Sequence, residues 1–397
     1  MHNGCDERRA ISPRSAELKP LLSGRWGTRD MAWKHRFAVV PALATLTLLA
    51  ACGSPSNPFP TPSQTPPSTT ASPSSSASPL DLKPVLAGLL DRDGPPPNGF
   101  VTSLAGFVVN VYWKDLQPTS GASLAPDNAI DQAITEVRSL NAAHHTNLGL
   151  KIRLFGGIWA PGWVKNLDGA PITITNPQDG GTGTIGRFWT DDYGAAYDQL
   201  ETLLAAKYDS VPEIREVTIS RCTTFYDEPF IRDTTAPLTV TALVGAGYTF
   251  AADQTCQQQE IQASTVWKHT HSDLAFNPYQ LIAAGGATAT DEAFTESMMQ
   301  YCRQVLGNAC VLENNSLRVP PPGAAYVSMY AAMQSLGSPI AFQTATAARA
   351  GDLTQVLSYA ASLRASSVEL PAGYASIATP ASFAAATSLL AANAAAT

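Results

Sequence analysis

The sequence predicts a (β/α)8 barrel, folded as one domain over residues 81–397. Three observations predict it. Eight short apolar or β-branched runs recur along this stretch, and segments with helical spacing lie between most of them. The first run is not followed by the Gly-rich phosphate loop that a doubly wound sheet usually carries. Strands and helices alternating over about 300 residues suit a closed parallel barrel.

The runs fall at residues 85–90, 106–112, 150–155, 216–220, 273–277, 310–314, 340–344 and 367–370. The clearest helix lies at 127–143, where Ile130, Ile134, Val137 and Leu140 share one stripe and Pro126-Asp127 supplies a start signal. Residues 193–208 repeat the pattern with Leu200, Leu203 and Leu204. Further helices are expected at 255–269, 291–305, 326–334 and 351–364, with an Ala-rich packing helix at 380–396. The first strand and its helix carry the weakest pattern.

The segment before the barrel has a different character. Lys34, His35 and Arg36 precede an uncharged apolar run at 37–51, the layout of an export signal and too short for a comfortable membrane span. The run ends at Leu49-Ala50-Ala51-Cys52, which resembles the lipobox of bacterial lipoproteins. That resemblance implies acylation of Cys52, a signal peptide over 31–51, and a chain anchored by lipid on the extracytoplasmic face of the cell membrane. Residues 1–30 are polar and mixed in charge, and Met31 reads as the start of the protein proper. Residues 52–80 are rich in Ser, Thr and Pro and uncharged, which predicts an extended tether and not a packed segment.

The chain carries 25 Lys and Arg against 32 Asp and Glu, and no basic run, so nucleic acid is not an expected partner. Four cysteines follow Cys52: Cys222, Cys256, Cys302 and Cys310. An even number in an exported chain suggests disulfides. Cys302 and Cys310 fit a short loop, leaving Cys222 with Cys256; unpaired core cysteines are the alternative. No CxxC or HxxxH spacing points to a metal, and no cofactor is expected. His269 and His271 precede the fifth strand, on the face of a barrel that serves stability.

Chemistry in such barrels sits at the carboxyl ends of the strands. Those ends hold Trp113, Trp159, Trp163, Tyr226, Asp227, Glu228, Asn277, Glu313, Asn314, Gln343 and Glu369. A pyranose presents one apolar face and a rim of hydroxyls. Aromatic rings suit the face, and amides and carboxylates suit the rim. The set therefore fits a sugar better than a phosphate, with the aromatic and amide residues as substrate contacts.

Three segments carry a family resemblance. The YWKDLQP of the second strand is similar to the W-x-x-L-x-P segment of retaining clan-A glycoside hydrolases, especially the β-galactosidase-like ones. The third-strand KIRLFGGIWAPGWV is similar to the strand that leads into their Pro-Trp loop, and Asp227-Glu228-Pro229 resembles their Asn-Glu-Pro. The resemblance implies a glycoside hydrolase acting on a polysaccharide or oligosaccharide, with Glu228 as general acid/base, and a monomer is expected. Two positions depart from the pattern. Asp227 stands where Asn is usual, and Gln343 occupies the strand end of the family's nucleophile, where an amide cannot act as a carboxylate. Three alternatives follow. Glu369, or next Glu313, supplies the second carboxylate; or the enzyme inverts; or the site binds glycan without cleaving it.

Overall fold

The computed structural model describes residues 81–396. The leader, Cys52 and the tether lie outside the described residues. Among the described residues, no helix is long and apolar enough to cross a membrane.

Eight parallel strands close into a barrel: β1 (Gly88–Asp91), β2 (Gly106–Tyr112), β3 (Gly149–Phe155), β4 (Ile214–Thr218), β5 (His271–Ala275), β6 (Cys310–Leu317), β7 (Ile340–Thr344) and β8 (Ser367–Leu370). Each pairs with its sequence neighbours, and β1 pairs with β8 to complete the ring. The (β/α)8 expectation is thus met. Boundaries moved in places. β4 and β5 each begin two residues earlier than their apolar runs suggest, because Ile214 and His271 already sit in the ladder.

The outer helices are α1 (Ala129–His144), α2 (Asp191–Tyr208), α3 (Phe250–Ala263), α4 (Glu292–Leu306), α5 (Ala324–Leu336), α6 (Leu353–Ser362) and α7 (Ala384–Ala395). α1 starts where the Asn128 side chain accepts from the Ile130 amide at 2.9 Å, so the cap is Asn128 and not the Pro126-Asp127 pair. Ile130, Ile134, Val137 and Leu140 are all buried, as their spacing requires. α3 starts five residues before the expected point, because Thr249 caps it by accepting from the Ala252 amide. Two antiparallel ribbons have no counterpart in the sequence reading: Ile172–Thr175 with Thr182–Ile185, and Tyr279–Ile282 with Thr288–Asp291.

The apolar core lies between the strands and the helices, not inside the barrel. On β3, Leu150, Ile152 and Leu154 face the helices and join the cluster that holds Val137, Leu200 and Leu204. Lys151 and Arg153 alternate with them and point inward, where they meet carboxylates from other strands. Barrel interiors are ordinarily filled by Val, Ile and Leu; part of this one is filled by ion pairs.

Among the described residues, two disulfides brace the frame. Cys222 joins Cys256, tying the segment after β4 to α3, and Cys302 joins Cys310, tying the end of α4 to the start of β6.

Candidate functional site

The site has two layers. The lower one lies within the barrel. Lys151 Nζ stands 2.8 Å from Asp273, 2.6 Å from Glu313 and 3.0 Å from Glu369, with all four side chains sealed from solvent. Arg153, one step nearer the mouth, pairs with Glu369 and places its Nε 3.0 Å from Asp227 Oδ2. Glu216 lies opposite Lys151 in the β3–β4 ladder.

Five carboxyl groups thus share two cations, and they do not all ionise. Burial pushes Glu216 up to about 7, against the pull of Lys151. Burial and then the neighbouring Asp273 drive Glu313 well above the usual carboxylate range. Glu369 goes the other way. Burial opposes its charge, but Arg153 and Lys151 outweigh that and hold it down at about 2. Lys151 stays protonated because Asp273, Glu313 and Glu369 outweigh its own desolvation.

The upper layer is an open cavity of about 300 Å³ at the carboxyl ends of the strands. Glu228 lines it, together with Tyr226 from the same loop, Gln343 from β7, and Arg92, Arg318 and Tyr326. The Glu228 loop is held firmly. Cys222 is disulfide-bonded to α3 and its amide donates to Glu260 at 2.9 Å. Arg232, a few residues on, makes a two-point contact with Asp253 at 2.7 and 2.6 Å. Gly157 lets the β3 loop pass against this segment: its φ is +49°, and a Cβ there would stand 2.0 Å from the Thr224 carbonyl oxygen.

Glu228 is half-buried, and Asn277 Nδ2 donates to its Oε1 at 3.2 Å. Burial first, and the charge of Asp227 second, push its carboxyl up to about 8. Asn277 is positioned in turn: its Oδ1 accepts from Asn314 at 3.2 Å and from the Tyr326 hydroxyl at 3.4 Å. Asn314 is itself held by Tyr330, whose hydroxyl donates to its Oδ1 at 2.8 Å. A register shift in β6 between Asn314 and Leu317 turns Asn315 and Ser316 to the cavity wall.

Of the residues singled out in the sequence, Glu228, Tyr226 and Gln343 line the cavity. Asn277 and Asn314 lie behind it as supports. Asp227 is held by Arg153, away from the lining. Glu313 and Glu369 are 0% and 1% exposed and do not reach the lining. Trp113 requires a correction. It is 0% exposed and packs edge-on against Trp163, Tyr193 and Tyr197, so no ring face is left for a sugar. Trp163 serves packing too, donating from Nε1 to the Gln117 carbonyl at 3.1 Å. Trp159 is half-buried against Tyr112, with ring centroids 4.4 Å apart, and stands outside the lining. The aromatic residues in the cavity are tyrosines.

Sequence reasoning missed Arg92, Arg318, Arg349, Asn315 and Gln178 as lining residues. It also missed Lys151 as the hub of the lower layer. One signal for Lys151 was present: Lys and Arg two apart in the otherwise apolar β3 is a period-2 pattern that marks an inward-facing charged row.

No protein-family profile and no curated protein matches the chain. Solved structures resembling it include the catalytic domain of a β-amylase from Paenibacillus polymyxa, at 10% identity and a TM-score of 0.49, covering 74% of this chain and 93% of that one. The endoglucanase Cel5A of Pseudomonas stutzeri matches at 11% identity and a TM-score of 0.37, covering 75% of this chain and 85% of that one. TcOYE with pHBA matches at 12% identity and a TM-score of 0.44, covering 78% of this chain and 93% of that one.

Proposed function

We propose that the barrel mouth is a glycan-recognition site, carried outside the cytoplasm on a lipidated Cys52. The observation that carries this reading is the composition of the cavity wall. Its single carboxyl group, Glu228, is pushed up to about 8 by burial, and hydroxyls and amides from Tyr226, Tyr326, Asn315 and Gln343 accompany it. The neutral donors and acceptors in this wall, with its tyrosine rings, suit sugar hydroxyls, and Arg92, Arg318 and Arg349 line the same space. Cleavage requires a second carboxylate in reach of the bond, whether as nucleophile or as base for water. Glu313 and Glu369 are sealed beneath the wall, and the β7 end presents the amide of Gln343.

One observation favours hydrolysis as a second reading. Glu228 is pushed up and Glu369 pulled down, the split between a proton donor and an ionised partner. For Glu369 to act, its pair with Arg153 must open.

The test joins calorimetric binding on a glycan panel with a hydrolysis screen, using wild type and Glu228→Gln. The recognition reading expects binding by both proteins and turnover by neither. Turnover by wild type that falls about 10²–10⁴-fold in Glu228→Gln would install the hydrolase reading. No binding to any glycan would remove both.

A further inference from the structure

The cavity wall holds more positive charge than a neutral sugar needs. Arg92 enters after β1, Arg318 after β6 and Arg349 after β7, and all three line the same 300 Å³ space. Among the described residues none of them is in an ion pair. Arg92 is fixed across the mouth instead, donating from Nη1 to the Thr344 carbonyl at 3.2 Å. Burial and the charge of Asp227 push the single carboxyl in the lining, Glu228, up to about 8, so it offsets little of this charge. The chain as a whole carries a net charge of −7, so the concentration of guanidiniums here runs against its overall composition.

A second, independent feature points to a ligand. Asn315 lines the cavity, is 8% exposed, and among the described residues has no hydrogen-bond partner at either Nδ2 or Oδ1. Leaving a buried amide unpaired costs roughly 1–3 kcal/mol. Such a group in a cavity wall is explained when a ligand completes its bonds.

We infer that the cavity takes a glycan bearing an anionic substituent, a uronate carboxylate or a sulfate ester, with Arg318, Arg349 and Arg92 facing the anion and the Asn315 amide meeting an adjacent hydroxyl. This rests on the glycan-recognition reading and narrows it to a substrate class. Guanidinium is the group suited to it: planar, always charged, and matched in a two-point contact to carboxylate and sulfate oxygens.

Matched oligosaccharide pairs test the inference by calorimetry on the full chain. Oligogalacturonate is compared with its carboxyl-reduced counterpart, and a sulfated galactan oligosaccharide with its desulfated form, at 50 and 300 mM NaCl. The expected result is at least tenfold tighter binding of the acidic member of one pair, weakened at high salt. The pair that shows the difference identifies the anion. Arg318→Gln and Arg349→Gln should each reduce that preference with an unchanged unfolding midpoint, and Arg349→Lys should restore part of it. Asn315→Ala should weaken acidic and neutral members alike. Equal affinity within both pairs overturns the anionic inference and leaves glycan recognition standing. Binding by neither member of any pair overturns both.

Discussion

The two charged layers of this barrel invite comparison. In the lower layer, Lys151 and Arg153 are enclosed by carboxylates from β4, β5, β6 and β8 and by Asp227, and almost no surface reaches solvent. In the upper layer, Arg92, Arg318 and Arg349 face an open cavity and, among the described residues, form no ion pair, while burial pushes the one acid beside them up to about 8. The lower layer holds glutamates carried on strands, and the upper layer holds Glu228, carried on the loop after β4. The layer that compensates its own charge holds the frame together. The layer that leaves charge uncompensated has capacity for a ligand.

The largest expected effect comes from breaking the compensation below. Lys151→Met removes the cation shared by Asp273, Glu313 and Glu369, leaving buried carboxylates without their partner. A loss of about 3–5 kcal/mol in urea unfolding is expected. A loss under about 1 kcal/mol would mean that the lower layer is not a structural hub.

The pH dependence of stability comes next, at the order of 2 kcal/mol. Asp273 is raised to about 6, Glu216 to about 7 and Glu228 to about 8. Folding raises each of these values, so the native state binds the extra proton more tightly than the unfolded chain. Their stabilisation is complete below the ordinary carboxyl value of about 4.3 and is lost as pH rises through 6 to 8. Glu369, depressed to about 2, contributes above about 4.3 and loses its contribution as pH falls through 2. The urea midpoint should therefore be higher at pH 5 than at pH 8.5 and drop again below pH 3. A midpoint that rises from pH 5 to 8.5 would contradict this assignment of protons.

The smallest effect sharpens the contrast at the mouth. Glu228→Gln replaces a neutral carboxyl with a neutral amide of the same shape. At pH 6 it should shift stability by less than about 1 kcal/mol. Above pH 8 the variant should gain on wild type, because it has no charge to develop against Asp227. A large loss at pH 6 would show that Glu228 is ionised in the native protein.

The barrel itself was legible in the sequence because strand and helix are read from local periodicity. The stripe Ile130, Ile134, Val137, Leu140 had one buried outcome, and so did the alternation of Leu150, Ile152 and Leu154 with Lys151 and Arg153. The Glu228 loop was found from its motif and its place after β4. The aromatic reading of the site failed at Trp113, because hydrophobic rings at a strand end pack inward as readily as they face a ligand, and composition does not separate the two. Helix starts at Asn128 and Thr249 were misplaced because capping is decided by a single side-chain bond.

The sequence by itself determined the alternation of strands and helices, the helix-facing row of each clearly patterned strand, and the candidacy of Glu228. Only the tertiary structure decided depth along the barrel axis. The sequence places Glu228, Glu313 and Glu369 alike in the strand-end segments, yet one lines the cavity and two are sealed below it. Ring closure also gathered Arg92, Arg318 and Arg349 from β1, β6 and β7 into one wall. The physical reason is that periodicity fixes which face of a strand is inward, whereas depth depends on strand register and the β6 bulge, and neighbourhood depends on how the ends of the sheet meet.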